Sequence, residues 1–112
     1  MNVYDRAYEL AQALQGSLEA KQVMEARAAA DRDPDARRML ADFQRRQLEL
    51  QQRMMGGEEP SAEELDGLGK LYELLSLNPL VQDYFEAEKR LGVVYEDVNR
   101  IIGSSMQSVL LP

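Results

Sequence analysis

The side chains that most often perform catalysis are missing from this sequence of 112 residues, which has no histidine, cysteine, tryptophan or threonine. Without histidine and cysteine there is no imidazole base, no thiolate nucleophile and no Cys/His ligand set for zinc, iron–sulfur clusters or haem. The serines have no histidine to activate them, and Lys21, Lys70 and Lys89 lie in no motif typical of a serine–lysine pair. These absences predict a protein that is not an enzyme.

Carboxylates are the remaining candidates for chemistry, and the acidic run 31–35 alternates them as the opening of a calcium loop does. The rest of that motif is absent, since Ala36 replaces the glycine at its sixth position and Asp42 replaces the glutamate at its twelfth. Asp33-Pro34 is instead typical of a helix N-cap followed by proline at the first helical position. Helix capping is therefore the favoured interpretation of this run.

Five glutamates could in principle form a carboxylate metal site. They are Glu63, Glu64, Glu73, Glu86 and Glu88. The di-iron and di-manganese bundles require histidine, and no spacing here selects magnesium, so we predict no metal and no cofactor. Glu88 falls among Tyr84, Leu91 and Tyr95, and its favoured interpretation is a place at the edge of an apolar stripe or a pair with an arginine.

Phosphate-containing ligands are disfavoured. Gly67–Lys70 resembles a fragment of a phosphate loop, but the upstream strand and the wider glycine spacing are missing. The net charge of −7 repels nucleic acid at long range. Arg37-Arg38 and Arg45-Arg46 make a local basic patch that acidic residues interrupt, so a protein partner with a basic surface is the more natural ligand.

Strong helix formers dominate the sequence, and glycine, proline and capping residues divide it into helices. We predict an all-α fold, an elongated bundle of about five helices in one domain over 1–112, with 104–112 as a tail that is either loose or packed on a partner. The first predicted helix ends at Gly16, and the second and third cover 18–31 and 34–55. The fourth begins at the capping box Ser61–Glu64, and the fifth covers 79–103 after Asn78-Pro79, which repeats the cap-then-proline pattern.

The clearest pattern is a heptad seam on the third predicted helix. Ala36, Leu40, Phe43, Gln47, Leu50 and Met54 are spaced by four and three residues in turn. Gln47 is the polar member of the seam, and it either fixes helix register or donates a hydrogen bond to a neighbouring helix. Acids precede bases by four residues at Asp33–Arg37, Asp42–Arg46 and Glu49–Arg53, an orientation that stabilises helices.

Two helices this long leave apolar stripes that a chain of this size is not expected to cover, so we predict a homodimer formed through a helical face. The residues expected to serve packing or the interface are Phe43, Gln47, Leu50, Met54, Leu91 and Tyr95. No stretch is long and apolar enough to span a membrane, and the start of the sequence lacks the pattern of a signal peptide, which predicts a cytoplasmic protein.

Several packing and capping motifs together resemble the YlbF/YmcA family of small bacterial proteins, in particular its YheA-like branch. These motifs are Tyr4-x-x-Ala7-Tyr8-x-Leu10, Phe43-x-x-x-Gln47-x-x-Leu50-Gln51, Asn78-Pro79, Ala87-Glu88-x-Arg90-Leu91 and Asn99-x-Ile101-Ile102. The similarity covers about residues 2 to 105.

The resemblance implies an all-helical and often dimeric protein. Members of the family regulate competence, sporulation and biofilm formation in a complex that associates with ribonuclease Y and influences messenger RNA maturation. Some carry iron–sulfur clusters on cysteines, a property that this cysteine-free chain cannot share. The resemblance therefore favours a non-enzymatic adaptor. A carboxylate-dependent enzyme or small-ligand protein and a direct RNA binder stay as alternatives.

Overall fold

The structure, a computed structural model, describes residues 2–111 and is built from five α-helices, with no strand in that range. Their bounds are α1 Val3–Gln15, α2 Leu18–Asp31, α3 Pro34–Met55, α4 Ala62–Leu75 and α5 Pro79–Leu110. The predicted all-α class is confirmed, and α2 and α3 have the predicted bounds.

The residues predicted to cap helices do so. The Ser61 hydroxyl accepts a hydrogen bond from the N–H of Glu64 at 3.1 Å, and the Glu64 carboxylate accepts one from the N–H of Ser61 at 3.4 Å. Asp33 accepts from the backbone N–H two residues later at 3.3 Å, and Asn78 accepts from the N–H of Leu80 at 3.0 Å. Each bond satisfies a backbone donor that the first turn of a helix leaves unpaired.

The end of α5 differs from the prediction, because the helix continues seven residues beyond 103 to Leu110. Gly103 does not end it, and the serines that follow are accommodated inside it. The hydroxyl of Ser105 donates to the carbonyl of Ile102 at 2.6 Å, and that of Ser108 donates to the carbonyl of Ser105 at 2.8 Å. Residues 104–110 are therefore helix and not a loose tail, while the same prediction for Pro112 lies outside the described residues.

The chain divides into two compact units, and α2 and α5 contribute residues to both. The central unit consists of residues 26–85, and the terminal unit consists of residues 2–25 and 86–111. The central unit holds most of the buried apolar side chains. They are Ala30, Ala36, Leu40, Phe43, Leu75, Val81, Tyr84 and Phe85.

Aromatic rings organise the core of the central unit. Tyr72 of α4 stacks on Phe85 of α5 with ring centroids 4.6 Å apart, and Phe43 of α3 lies 5.4 Å from Phe85 and 5.9 Å from Tyr72. Tilted and offset pairs at such distances add to the stabilisation that burial of the rings provides. This aromatic cluster ties α3, α4 and α5 together.

The terminal unit is far less buried. Of its described residues, Ala87 alone is buried, at 1% exposure. Large apolar side chains lie in water instead, among them Val3 at 79% and Val109 at 71%. No described helix combines the length and the apolar character that a membrane span requires.

Candidate interaction surface

The terminal unit contains an apolar groove of about 570 Å³ between residues of α1, α2 and α5. Its lining residues are Ala11, Leu14, Gln15, Ala20, Val23, Glu88, Leu91, Gly92 and Tyr95. Most of these side chains are apolar, and Glu88 supplies the one ionisable carboxylate. An open groove of this size and character is suited to apolar side chains of another molecule.

Small residues on the helices leave the space that forms the groove. Ala11 and Ala20 contribute one methyl group each, and Gly92 contributes none. A Cβ added at Gly92 would meet nothing within 4 Å, so glycine here is not required by close packing within the chain. The groove is therefore a consequence of side-chain size on three helices.

Exposed apolar residues continue on α5 beyond the groove. The C-terminal segment, which we define as residues 101–111, contains no charged residue. Its apolar side chains Ile101, Val109 and Leu111 are 66%, 71% and 68% exposed. An uncharged helical surface of this length is the kind that marks a site of protein association.

The first helix adds a second exposed apolar surface. Val3, Tyr4 and Tyr8 of α1 are 79%, 75% and 72% exposed. Tyrosine is enriched at protein interfaces because its ring offers apolar area and its hydroxyl stays hydrated. These three side chains of α1 therefore face solvent.

The central unit has a smaller and more polar pocket of about 290 Å³ between α3 and α4. It is lined by Arg46, Glu49, Leu50, Arg53, Glu64, Gly67 and Leu68. Arg53 organises this pocket, because its guanidinium donates to Glu58 at 2.8 Å and to both carboxylate oxygens of Glu64. This network ties α3 to the first turn of α4.

The Arg53 network changes the acidity of its members. The hydrogen bonds from Arg53 hold the pKa of Glu64 at about 2, and the N–H of Ser61 lowers it further in the same sense. The pKa of Arg53 is raised above its ordinary value by its bonds to Glu64 and Glu58. On α3, Arg45 likewise lowers the pKa of Asp42. Each shift has a local ion pair as its main cause.

The Glu64 pair gives stability a dependence on pH. Since the pKa of Glu64 is about 2 in the folded chain against 4.5 ordinarily, the unfolded chain binds more protons between these values. We expect the stability that Glu64 contributes to be complete above about pH 4.5 and to be lost as the pH falls toward 2. Urea unfolding of wild type and Glu64→Gln at pH 7, 4 and 3 measures this.

In that series the gap between wild type and Glu64→Gln should be largest at pH 7 and shrink on acidification. Glu63→Gln removes the same charge from the same turn of α4 and is the matched control, because Glu63 is in no described ion pair. A gap that stays constant from pH 7 to pH 3 would contradict the assignment.

The structure distributes the predicted packing and interface residues over different environments. Phe43 is buried in the aromatic cluster, Leu50 lines the polar pocket, and Met54 is 52% exposed. Leu91 and Tyr95 lie together in the apolar groove of the terminal unit. The prediction that these residues form an interface stays a prediction.

Polar predictions on α3 had mixed outcomes. Gln47 is exposed, and no hydrogen bond joins it to a neighbouring helix within residues 2–111. The Asp42–Arg46 pair forms at 3.3 Å. The predicted Glu49–Arg53 pair was wrong, because α4 brings Glu64 to Arg53 and Glu49 lies 3.6 Å from Arg45 instead.

Several of the carboxylates considered as metal ligands have other roles in the structure. Asp33 is engaged as the N-cap of α3, Glu64 as the partner of Arg53, and Glu88 lines the apolar groove. Within the described part of the chain, no three carboxylates are grouped so that they could hold a metal ion. Gly67–Lys70 lies inside α4, where Lys70 pairs with Asp66 at 3.1 Å.

Sequence reasoning missed contacts that depend on distant parts of the chain. The Arg27 guanidinium lies 5.7 Å from the centre of the Tyr84 ring, and the Gln44 amide donates to the Tyr84 hydroxyl at 3.4 Å. Gln44 thus provides a partner for the hydroxyl of a ring that is 4% exposed, while Arg27 lies over the face of the ring. The signal available in the sequence was a tyrosine on a predicted apolar stripe, which does not name its partners.

The capped helices define an all-α protein whose terminal unit exposes large apolar side chains. The family described as "Control of competence regulator ComK, YlbF/YmcA" matches residues 3–107. The chain belongs to the YlbF/YmcA family, as the resemblance implied.

Bacterial relatives match over nearly the whole chain. A UPF0342 protein from Caldicellulosiruptor bescii is 39% identical over 106 residues, which cover 95% of this chain and 89% of the relative. A UPF0342 protein from Symbiobacterium thermophilum is 41% identical over 104 residues, which cover 93% of each chain.

A solved structure supports the fold. It is described as "Protein of Unknown Function (DUF964) from Bacillus stearothermophilus" and superimposes with a TM-score of 0.82, covering 96% of this chain and 94% of the other. The sequences are 23% identical, so this likeness concerns the fold alone.

Proposed function

We propose that this protein is a non-enzymatic helical adaptor that forms homodimers and docks on a protein partner, in the regulatory setting of the YlbF/YmcA family. By resemblance, that setting is the control of competence, sporulation or biofilm formation, or RNA processing linked to ribonuclease Y. The observation that carries the proposal is the apolar surface of the terminal unit. There the groove, the first helix α1 and the C-terminal segment all present apolar side chains to solvent.

The energetics of that surface support the proposal. Burying apolar area is favourable by about 25 cal/mol per Å², so side chains such as Val109 at 71% exposure gain stability when another chain covers them. Monomeric proteins seldom leave contiguous apolar patches of this kind in water. A homodimer provides such cover with the commonest symmetry of protein oligomers.

The charge of the molecule favours a particular kind of external partner. The chain has a net charge of −7, but its C-terminal segment has no charged residue. The molecule therefore has an acidic part and an apolar part. An acidic surface accelerates encounter with a basic protein and suppresses binding to nucleic acid. We therefore expect the external partner to present a basic surface.

Light scattering and pull-down test the two parts of the proposal. We expect the purified protein to have twice the monomer mass at micromolar concentration and to retain ribonuclease Y of the same organism in a salt-sensitive manner. Structured RNA at moderate salt should not bind. A monomer would contradict the dimer, failure to retain ribonuclease Y would contradict that setting, and a tight RNA complex would favour the direct RNA binder.

A further inference from the structure

The distal half of α5 carries a second heptad pattern, which we call the α5 seam. It consists of Leu91, Tyr95, Val98, Ile102, Ser105 and Val109. The steps are four, three, four, three and four residues, so the seam follows one side of the helix for about 27 Å. All six residues belong to the terminal unit.

The α5 seam is incompletely covered by the chain itself. Tyr95, Ile102 and Val109 are 58%, 48% and 71% exposed, and Leu91 and Val98 are half-buried. Such exposure is expected of an apolar helix face on which another helix packs only when a second molecule binds.

Between residues 91 and 109, charge is excluded from the side of α5 that carries the seam. The positions that flank it are Gly92, Val94, Asn99, Ile101, Met106 and Ser108, all uncharged. The charged residues between 91 and 109 are Glu96, Asp97 and Arg100, which the 3.6-residue period puts on the other side of α5. There Asp97 and Arg100 pair with each other at 3.0 Å. A second helix could pack on the seam without burying an unpaired charge.

We propose that the occupant of the α5 seam is the α5 seam of a second copy of this chain, packed antiparallel about a two-fold axis level with residue 100. In this register Leu91 faces Val109 of the second copy, Tyr95 faces Ser105, and Val98 faces Ile102. The inference rests on the homodimer of the proposed function and assigns its face, direction and register.

The side-chain sizes favour this register. The spacing reads the same in both directions, so a two-fold axis matches every member of the seam with another member. The largest side chain, Tyr95, then lies opposite the smallest, Ser105, which keeps the distance between the helices even. A parallel pair would oppose Tyr95 to Tyr95 and Ser105 to Ser105, giving one overfilled and one underfilled layer.

The same register accounts for the apolar groove. Glu88, Leu91, Gly92 and Tyr95 form the α5 wall of the groove, and in this register residues 105–109 of the second copy lie opposite Leu91 and Tyr95. The uncharged last turns of one α5 therefore cover the groove of the other, and the symmetry repeats the contact. This arrangement removes from water the groove together with the side of the C-terminal segment that carries the seam.

Because the chain has no cysteine, introduced pairs test the register directly. We expect Leu91→Cys/Val109→Cys to form a covalent dimer on mild oxidation, whereas each single variant stays uncrosslinked, since each residue is about 27 Å from its own copy in the antiparallel pair. Glu96→Cys/Ser104→Cys has the same symmetric spacing on the other side of α5 and is the matched control, expected to stay uncrosslinked.

A charge placed in the seam tests the face. Ile102→Glu should weaken the dimer by at least about 100-fold, because two unpaired carboxylates would be buried at the centre of the contact. Gln107→Glu adds the same charge on the opposite side of α5 and should remain dimeric. Light scattering gives the mass, and circular dichroism checks that the helices persist.

The outcomes separate this inference from the proposed function. A wild-type dimer that resists Ile102→Glu and fails to crosslink through Leu91→Cys/Val109→Cys would overturn the α5 seam and leave the homodimer standing. Crosslinking of the single Val109→Cys variant would indicate a parallel pair and overturn the register. A wild-type monomer would overturn the homodimer itself. If Ile102→Glu unfolds, the cysteine pairs decide the question.

Discussion

Replacement of Phe43 by alanine is expected to lower the free energy of unfolding by about 3–5 kcal/mol, the range for removing a buried phenylalanine ring. Phe43 is 5% exposed and contacts the rings of Tyr72 and Phe85 from two other helices. Truncation would leave a cavity where α3, α4 and α5 meet. Urea unfolding followed by circular dichroism at one fixed protein concentration measures the loss, because a dimer's stability depends on concentration.

Two further variants serve as controls, one at Phe43 itself and one at another residue of α3. Phe43→Leu retains apolar volume and should cost less than Phe43→Ala, while Gln47→Ala, one turn further along α3 and exposed, should change stability by less than about 0.5 kcal/mol. Equal losses for Phe43→Ala and Gln47→Ala would show that the aromatic cluster is not the core. Because Phe43 is buried in the core, a charged substitution such as Phe43→Asp would test folding and not an interface.

Replacement of Leu75 by alanine is the second large effect that we expect, at about 2–5 kcal/mol. Leu75 is the last residue of α4 and is 2% exposed, so its truncation removes packing from the core of the central unit. The same unfolding experiment reports the change.

The neighbouring Leu74 is the matched control, because it has the same side chain on the same turn and is 58% exposed. Leu74→Ala changes helix propensity by the same amount as Leu75→Ala but loses little burial. We expect less than about 1 kcal/mol for Leu74→Ala. If the two substitutions were equally destabilising, burial in the folded chain would not be what distinguishes them.

Substitutions of Phe43 and Leu75 are expected to change stability, whereas substitutions in the α5 seam are expected to change dimerisation. Phe43 and Leu75 belong to the central unit, where the chain itself covers both side chains. The seam residues belong to the terminal unit, and three of them, Tyr95, Ile102 and Val109, stay exposed to solvent in the single chain. Loss of stability without loss of dimer, or the reverse, therefore indicates which unit a substitution affects.

Much of the local structure follows from the sequence because the signals act over a few residues. The capping box of Ser61 and Glu64 and the caps at Asp33 and Asn78 each need only one turn of helix to form, and all three were predicted. The end of α5 was missed because Gly103 and the serines after it only weakly oppose a helix, and the serine hydroxyls are satisfied inside it by carbonyls three residues earlier.

The sequence by itself determined the number of helices, their caps, the lack of histidine and cysteine chemistry and the absence of charge from residues 101–111, since these depend on residue type and spacing. Only the tertiary structure decided that Phe43 is core, that Arg53 pairs with Glu64 and that Leu91 and Tyr95 line a groove. An apolar stripe in the sequence predicts that one face of a helix packs against another element. Which helix covers it depends on contacts between residues far apart in the chain, and these exist only once the chain has folded.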